Sequence, residues 1–453
     1  MPEQKKIHLT IDGKAVEVAP ETTVLSAAAS VGVEIPTLCY MKGLPPDGSC
    51  RLCVVEIFGG RKKGLFTACG EHCAEGMDVH THSEKVVEAR RFILDLLMSN
   101  HKEHCFNCPQ NGDCRLQSYC MEYGVSETSF VGKMINKAFD GSSPYFNYDP
   151  KLCIMCRRCQ RTCESVTGKN IISLNGRGFR TRMSIPYDHA WRESACGICG
   201  SCVEACPVGA LSTKSNTKNY RQWEIRKTST TCTLCDKACQ IDLVTKNNKV
   251  LDIRTTGGLT SKNLPCSRGR YTYWQSLENR VNTPLIKNAD TGSFEPADWG
   301  TALALIAGKL DKKSIVAGSV STTEEEQSSL KDIARSAGAR DKVFGGYTEL
   351  LEIAEGAKTL LVNDTDMVSG CRTGRYCSYC QLYCDTVNVS ALNELDFVAV
   401  ISPAMSDVAK TADVVLPGYS FAELAGTFNG HAVNPAVSRN VKNGLSELAT
   451  FMK

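Results

Sequence analysis

The chain has 453 residues, 42% of them hydrophobic, and its 52 basic and 49 acidic side chains leave a formal charge of +3. That balance gives no electrostatic footing for nucleic acid or an anionic membrane, and the length calls for several cores, not one. The opening residues, MPEQKKIHLTIDGK, lack the apolar core of a signal peptide and a twin-arginine pair. No apolar run reaches membrane-spanning length, so a cytoplasmic chain with no membrane span is expected. Twenty-five cysteines then need a reason. The cytosol keeps thiols reduced, so such density points to metal binding rather than to disulfides.

Residues 1–82 read as a small β-rich domain. Ile7, Leu9 and Ile11 alternate, Asp12-Gly13 makes a hairpin turn, and Val16 and Val18 return. Thr22 to Val31 reads as a short Ala-rich helix. Cys39, Cys50, Cys53 and Cys69 follow. Four thiolates with a loop containing Gly48 suit a 2Fe-2S cluster, whose sulfides need backbone donors close by. Cys73 is the rival for the fourth position. Taken with PTLCY and GSCRLCVVE, this region resembles the plant-type ferredoxin fold, in the variant spacing of complex I and NAD-linked hydrogenases. That resemblance implies Cys69 as the ligand and Cys73 as a bystander.

Residues 83–140 form a second expected domain. Ser83 can cap a helix running to about Asn100, with Val86, Ala89, Ile93 and Leu97 on one face. His101, Cys105, Cys108 and Cys114 come next. Their spacing resembles the His-plus-three-Cys 4Fe-4S site of the complex I large iron-sulfur subunit, with His104 as the adjacent competitor for the imidazole. A neutral imidazole in place of a thiolate changes a cluster's charge and therefore its potential. Cys120 has no partner at ligand spacing and reads as a buried small hydrophobe.

Residues 141–222 carry Cys153-x2-Cys156-x2-Cys159-x3-Cys163 and Cys196-x2-Cys199-x2-Cys202-x3-Cys206-Pro207. This is the paired signature of a bacterial-type double 4Fe-4S ferredoxin, in which the fourth Cys of each run serves the other cluster. Cys153, Cys156, Cys159 and Cys206 are expected to hold one, and Cys163, Cys196, Cys199 and Cys202 the other. Zinc also takes Cys-x2-Cys pairs, but two matched runs of four favour iron. Arg157, Arg158, Arg161, Arg177, Arg180 and Arg182 can offset the negative charge of thiolate-bound clusters, or present a docking face to an acidic partner.

Residues 223–285 change the spacing to Cys232-x2-Cys235-x3-Cys239, with Cys266 following. With NNKVLDIR as a hairpin and CSRGRYTYW after it, this stretch resembles the 4Fe-4S domain of molybdopterin oxidoreductases such as formate dehydrogenase. The family places a Lys after the last Cys, where Ser267-Arg268 stands here.

Residues 286–453 then resemble a truncated molybdopterin region, an α/β layer without the residues that would cradle the cofactor. Asp298 to Leu310 and Thr322 to Ala337 read as helices, the second with a Thr322–Glu325 capping box. Ser314 to Val320, Leu360 to Val362 and Phe397 to Ile401 read as strands. Cys371, Cys377, Cys380 and Cys384 lie within this region. Four cysteines so close together suit a further 4Fe-4S cluster, or zinc, with Tyr376, Tyr379 and Tyr383 shielding the metal.

In order and spacing, residues 1 to about 285 resemble the large iron-sulfur subunit of NADH-quinone oxidoreductase and its relatives in soluble NAD-linked hydrogenases, formate dehydrogenases and electron-bifurcating complexes. The expected fold is an α+β multidomain chain. The resemblance implies one 2Fe-2S cluster and four 4Fe-4S clusters, or five if the last motif holds one, and no molybdopterin. The implied function is single-electron transfer within an NAD(P)H-dependent oxidoreductase, with no catalytic residue on this chain. No dinucleotide-binding Gly-x-Gly-x-x-Gly is present. Flavin and NAD(H) are therefore expected on a flavin-bearing NADH-dehydrogenase-like partner, accompanied by a small 2Fe-2S subunit. Ferredoxin or a further oxidoreductase subunit would stand at the other end. A formate dehydrogenase, a hydrogenase or the peripheral arm of complex I are the alternative settings.

Overall fold

The computed structural model describes residues 6–60, 62–102, 105–132, 138–185, 189–214, 220–235, 237–260, 264–276, 279–345, 347–364, 389–438 and 441–453. The motif Cys371, Cys377, Cys380 and Cys384, with its three tyrosines, lies outside these, as does His104. The chain divides into two compact units, residues 1–196 with 201–222, and residues 197–200 with 223–453.

The first unit begins with β1 (Ile7–Ile11), β2 (Lys14–Val18), α1 (Val24–Ser30), β3 (Val54–Gly59), β4 (Gly64–Thr67) and β5 (Met77–His80). The sheet order is β2-β1-β5-β3-β4, with β1 and β5 parallel and the other pairs antiparallel. Ile11 pairs with Lys14 across Asp12 (φ 48°) and Gly13 (φ 77°), the doubly left-handed turn that suits strand twist. Thr23 caps α1 through its side chain. Ile11, Ala27, Ala28, Val55, Ile57 and Val79 are sealed in one core beneath this sheet.

Two helices follow, α2 (Glu84–Met98) and α3 (Arg115–Tyr123). The buried stripe of α2 is Val86, Arg90, Leu94 and Met98, turned from the expected Val86, Ala89, Ile93 and Leu97. Reading only apolar positions missed its centre, because that centre is an arginine. Arg90 is 0% exposed. Its Nη1 donates to Tyr123 Oη at 2.7 Å and its Nη2 to Val54 O at 2.9 Å. It thereby joins α2, α3 and β3. Ser83 stands at the N-cap but makes no side-chain cap bond; its hydroxyl donates instead to the buried Glu56 at 2.7 Å.

The rest of this unit is short elements: β6 (Phe146–Tyr148), α4 (Arg158–Arg161), β7 (Ser173–Asn175), β8 (Arg182–Ser184), α5 (Ser201–Ala205) and β9 (Leu211–Thr213). They form two antiparallel ribbons, β6 with β9 and β7 with β8.

The second unit opens with an antiparallel sheet of β10 (Arg226–Thr231), β11 (Gln240–Lys246) and β12 (Lys249–Thr255), followed by α6 (Ser267–Ser276). The expected hairpin turns at Asn247 (φ 49°) and Asn248 (φ 58°). An α/β layer follows: β13 (Leu285–Lys287), β14 (Phe294–Pro296), α7 (Trp299–Lys309), β15 (Ile315–Ser319), α8 (Glu324–Ala337), β16 (Arg340–Phe344), α9 (Tyr347–Ala354), β17 (Thr359–Asn363), β18 (Phe397–Ser402), α10 (Asp407–Thr411) and β19 (Val414–Pro417). After it come the ribbon β20 (Gly426–Phe428) and β21 (His431–Val433), then α11 (Gly444–Phe451). The sheet order is β14-β13-β19-β18-β17-β15-β16, parallel from β16 to β19. Its central strands are buried on both faces and read as unbroken apolar runs, with a separate core on each side.

The capping box of α8 is Thr323 with Glu326, one residue later than expected. Thr322 instead closes the preceding turn by donating to Ser319 O at 2.7 Å. Glu325 accepts from the backbone N of Thr427 at 2.8 Å, tying α8 to β20.

Arg90→Ala strips hydrogen-bond partners from Tyr123 and Val54 and leaves a cavity. Charge-assisted bonds of this kind are each worth about 1.5–3 kcal/mol, so the variant is expected to lose about 3 kcal/mol. A urea titration of the first unit's transition checks this; an unchanged midpoint would contradict it.

Candidate metal centres

Cys39, Cys50, Cys53 and Cys69 are each 5% exposed or less, around the loop between α1 and β3 and the end of β4. The backbone N of Cys39 points at Cys50 Sγ, 3.4 Å away. The Cys50 thiol holds that of Cys39 well down, at about 5, and is itself pushed up by the same contact and by burial. Cys53 and Cys69 form a second such pair. The pairs also sense each other: a thiolate at Cys39 opposes ionisation of Cys69, and one at Cys50 opposes that of Cys53. Four thiols this close cannot all ionise unless a cation joins them, the donor set that iron demands. Cys73 shares an apolar core with Cys53 and Cys69, but its thiol is raised to about 11 by burial and by Glu71, with no cysteine among the causes.

Cys153, Cys156, Cys159 and Cys206 line one pocket, together with Tyr148 and Met183. Burial raises all four thiols, Cys153 to about 12. Among the described residues no three His, Cys, Asp or Glu side chains converge closely enough to share one metal ion. Four thiols lining one pocket suit a cluster.

Three of the arginines are committed to the loop of the first site. Arg158 donates to Tyr40 O at 2.8 Å and to Ala205 O at 2.7 Å. Arg161 donates to Cys39 O at 3.2 Å and to Pro45 O. Arg157 pairs with Asp47 at 3.0 Å. The helix after one cysteine loop therefore clamps the backbone of another. These three guanidinium groups bind the loop's backbone and Asp47, while Arg177 and Arg180 stay exposed. Burial lowers the pKa of Arg158, while the thiolates of Cys156 and Cys206 favour its charge.

Cys105, Cys108 and Cys114 also stand together, since the first two oppose ionisation of the third, which burial raises to about 12. Cys114 caps α3, its sulfur accepting from Gln117 N. His101 is 6% exposed, and its Nδ1 is buried with no hydrogen-bond partner among the described residues. Burial lowers its pKa, so a neutral ring with an unused nitrogen is available, as a ligand imidazole must be. A Cβ on Gly209 would lie 2.5 Å from Cys108 Sγ. The Cys206-Pro207-Val208-Gly209 turn thus passes directly over this site, and Pro207 O accepts from Arg115 N at 3.1 Å.

Cys163 lies in a π-turn, Thr162–Val166, and its sulfur accepts from Ile171 N at 3.2 Å. That turn packs on α5, which carries Cys202. Cys196 precedes α5 in the first unit, and Cys199 belongs to the 197–200 loop counted with the second.

Cys232, Cys235, Cys239 and Cys266 line one pocket together with Lys237 and Arg268. Burial raises Cys232 to about 12, and the Arg268 charge works against that rise. Cys232 N donates to Cys239 O at 2.8 Å, closing the loop. Phe421, Ala422 and Val437 pack into the same core as Cys232 and Cys239, and Thr231 Oγ1 donates to Ala432 O at 2.7 Å. Residues near 420–437 therefore buttress this loop, a long-range support that spacing could not reveal.

The cysteine loops share one backbone feature. Arg51, Met155, Arg157, Ile198 and Ala238 all have positive φ, between 47° and 59°. Each stands between two cysteines of one motif. The matched loops repeat the pattern: Met155 corresponds to Ile198, and Arg157 to Gly200 (φ 78°). Such angles cost a non-glycine residue about 1–2 kcal/mol, and a β-branched residue such as Ile198 rarely adopts them. Strain of this kind persists where the surroundings over-determine it, chiefly at functional sites. Left-handed residues turn successive N–H groups towards one side, the geometry of an anion-binding concavity.

Four family models match the chain in series. They are a 2Fe-2S iron-sulfur cluster binding domain over residues 4–84 and an NADH-ubiquinone oxidoreductase-G iron-sulfur binding region over 90–129. The NADH-quinone oxidoreductase subunit 3 ferredoxin-like domain covers 143–212, and a molybdopterin oxidoreductase Fe4S4 domain 225–276. The chain is 33% identical over 342 residues to the NADPH-Fe(3+) oxidoreductase subunit alpha of Geobacter sulfurreducens, covering 73% of this chain and 39% of that protein. It is 30% identical over 350 residues to the mitochondrial NADH-ubiquinone oxidoreductase 78 kDa subunit of Candida albicans, covering 74% and 47%. It is 36% identical over 210 residues to the NADP-reducing hydrogenase subunit HndD of Solidesulfovibrio fructosivorans, covering 45% and 36%. The chain therefore spans less than half the length of each of these relatives.

Gly209→Ala forces a methyl group onto Cys108 Sγ, whereas Gly70, beside Cys69, has open space where its Cβ would go. Overpacking of this kind costs about 1–3 kcal/mol. Gly209→Ala is expected to lower iron content by about four atoms per chain while Gly70→Ala keeps it, read by colorimetric iron assay on anaerobically prepared protein.

Proposed function

The chain belongs to the family of the large iron-sulfur subunit of NADH-quinone oxidoreductase and its NAD(P)-linked relatives, and on that premise we propose that it carries single electrons between a flavin-bearing partner and a second redox partner. The observation that carries the proposal is the repeated grouping of four buried or half-buried cysteines around one pocket, at Cys153, Cys156, Cys159 and Cys206 and again at Cys232, Cys235, Cys239 and Cys266.

Cys39, Cys50, Cys53 and Cys69 would hold a 2Fe-2S cluster. His101, Cys105, Cys108 and Cys114 would hold a 4Fe-4S cluster. So would the set Cys153, Cys156, Cys159 and Cys206, the set Cys163, Cys196, Cys199 and Cys202, and the set Cys232, Cys235, Cys239 and Cys266. When bound, such clusters accept and release one electron at a time, so a hydride's electron pair must be divided elsewhere. The protein supplies dry thiolate cages, backbone donors and fixed positive charge. Arg158 offsets the charge at Cys156 and Cys206, and Arg268 and Lys237 do so at Cys232 and Cys239. Cations near an anionic cluster favour its reduced form by Coulomb attraction, strengthened by the low dielectric.

The proposed partners are a flavin-bearing NADH-dehydrogenase-like subunit with a small 2Fe-2S companion, and ferredoxin or another oxidoreductase subunit at the far end. Electron bifurcation belongs to the same proposal. So does the role of the α/β layer, which supports the Cys232–Cys266 loop and bears no catalytic group of its own.

Anaerobically purified full-length chain is expected to bind about eighteen iron atoms, two at the binuclear site and sixteen at four cubane sites. About four more would follow if Cys371–Cys384 holds a further cluster. Cys69→Ala should abolish the 2Fe-2S EPR signal after dithionite reduction, and Cys73→Ala should leave it intact. A colourless, iron-free but folded chain would overturn the proposal.

A further inference from the structure

Tyr148 is the last residue of β6, and both it and Met183 of β8 line the pocket of Cys153, Cys156, Cys159 and Cys206. All six residues belong to the first unit. Tyr148 is 6% exposed and Met183 2%. The tyrosine is fixed on several sides. Its backbone exchanges hydrogen bonds with Asp140 at 2.8 and 2.9 Å, it pairs with Leu211 of β9, and Trp191 meets its ring edge-on, with centroids 6.2 Å apart. Asp140 also accepts from Trp191 N at 3.0 Å, so one residue holds both aromatic side chains in place. Phenylalanine would serve equally well here as an apolar wall. The hydroxyl is what needs a reason, because a buried one requires a partner.

That hydroxyl has one hydrogen and two acceptors within reach. It donates to Met183 O at 2.7 Å, joining the β6–β9 ribbon to the β7–β8 ribbon. It also stands within hydrogen-bonding reach of the Cys153 sulfur, whose thiolate it favours. Burial, and the charges of thiolates at Cys153, Cys159 and Cys206, push the phenol's own pKa up, so it stays a neutral donor. The sulfurs of this set are supported unequally. Arg158 favours the thiolates of Cys156 and Cys206. At Cys153 the supporting groups are Met155 N, 3.4 Å from the sulfur, and the Tyr148 hydroxyl. A cation serves two of the ligands, and a phenol serves a third.

We propose that Tyr148 is a positioning residue that shares its hydroxyl hydrogen between Met183 O and Cys153 Sγ, and so sets how readily the centre held by Cys153, Cys156, Cys159 and Cys206 takes an electron. The inference rests on the proposed electron-transfer function. The step it acts on is a one-electron reduction: dithionite in vitro, or a reduced partner centre in the complex, is oxidised and this centre is reduced. No covalent bond forms or breaks, and the hydrogen stays on the phenol oxygen. Reduction adds negative charge to the ligand sulfurs, and a hydrogen bond to a charged acceptor is about twice as strong as one between neutral groups. The reduced state therefore draws the hydroxyl from Met183 O towards Cys153 Sγ. Hydrogen bonds to ligand sulfurs are one of the levers that set a cluster's potential, and this one favours reduction.

The test uses the anaerobically prepared full chain and Tyr148→Phe, which keeps the ring and removes the hydroxyl. The EPR signal lost in Cys156→Ala assigns the centre, and a redox titration followed by EPR reads its midpoint. The Cys69-dependent 2Fe-2S signal of the same sample is the internal control. Tyr148→Phe should keep its full iron and shift the reduction equilibrium of this centre alone towards the oxidised form by about threefold to tenfold, the net worth of one hydrogen bond. Tenfold is about 59 mV for a one-electron couple. After exchange into deuterium oxide, hyperfine spectroscopy of the reduced parent should show an exchangeable deuteron at this centre that Tyr148→Phe lacks. Full iron with either an unmoved midpoint or an unchanged deuteron spectrum would overturn the proposal and leave the hydroxyl as a strap between two ribbons. So would an equal shift of the centre and the control. If Tyr148→Phe fails to fold or load, a ring-fluorinated tyrosine at position 148 keeps the hydroxyl and makes it a stronger donor. The midpoint should then rise, and a fall or no change would overturn the proposal. A parent chain with no signal assignable to these cysteines would instead sink the proposed function itself, so the two failures are distinguishable.

Discussion

Buried thiols packed against one another are the constraint on which this chain is built. Burial pushes Cys114, Cys153 and Cys232 each to about 12, and each neighbouring thiolate adds to the opposition. A cage of this kind is unfavourable as a set of anions and becomes favourable when a metal cation supplies the opposite charge, which links metal binding to folding. The described cysteines are all buried or half-buried, and none forms a disulfide.

Much of the remaining structure answers that constraint. The loops hold bulky residues such as Arg51 and Ile198 at left-handed angles, directing backbone N–H groups inwards at a cost that only a filled site repays. Guanidinium groups are placed beside sulfurs, where they offset negative charge. Arg157, Arg158 and Arg161 also reach the backbone or side chains of the Cys39–Cys50 loop. One set of cations therefore serves both as electrostatic support for one site and as a mechanical clamp on another. Arg90 plays a related structural part with neutral partners, Tyr123 Oη and Val54 O, joining two helices to the strand that follows Cys53.

The second unit combines two ways of holding a loop. The Cys232–Cys239 hairpin is closed locally by Cys232 N on Cys239 O. It is also pinned from a distance by Thr230 and Thr231, which bond to Asn434 and Ala432. The Arg280–Glu423 ion pair, on which Ser420 also converges, fixes the start of that distant segment. A buried pair is costly to break from one side because the remaining charge is stranded, which makes this segment a rigid support.

Residue order alone determined which cysteines could belong together, because ligation loops are short and their spacing is set by the covalent chain. It also determined the Asp12-Gly13 and Asn247-Asn248 turns and the apolar strands at Leu360–Val362 and Phe397–Ile401. Patterns failed where a polar residue did an apolar residue's work, as Arg90 does at the centre of α2, and where neighbouring threonines competed for one cap, as Thr322 and Thr323 do. Only the tertiary structure brought Gly209 over Cys108 and turned three arginines onto the Cys39 loop. Those contacts join residues far apart in the chain, and their distances depend on how whole elements pack rather than on any local rule of spacing.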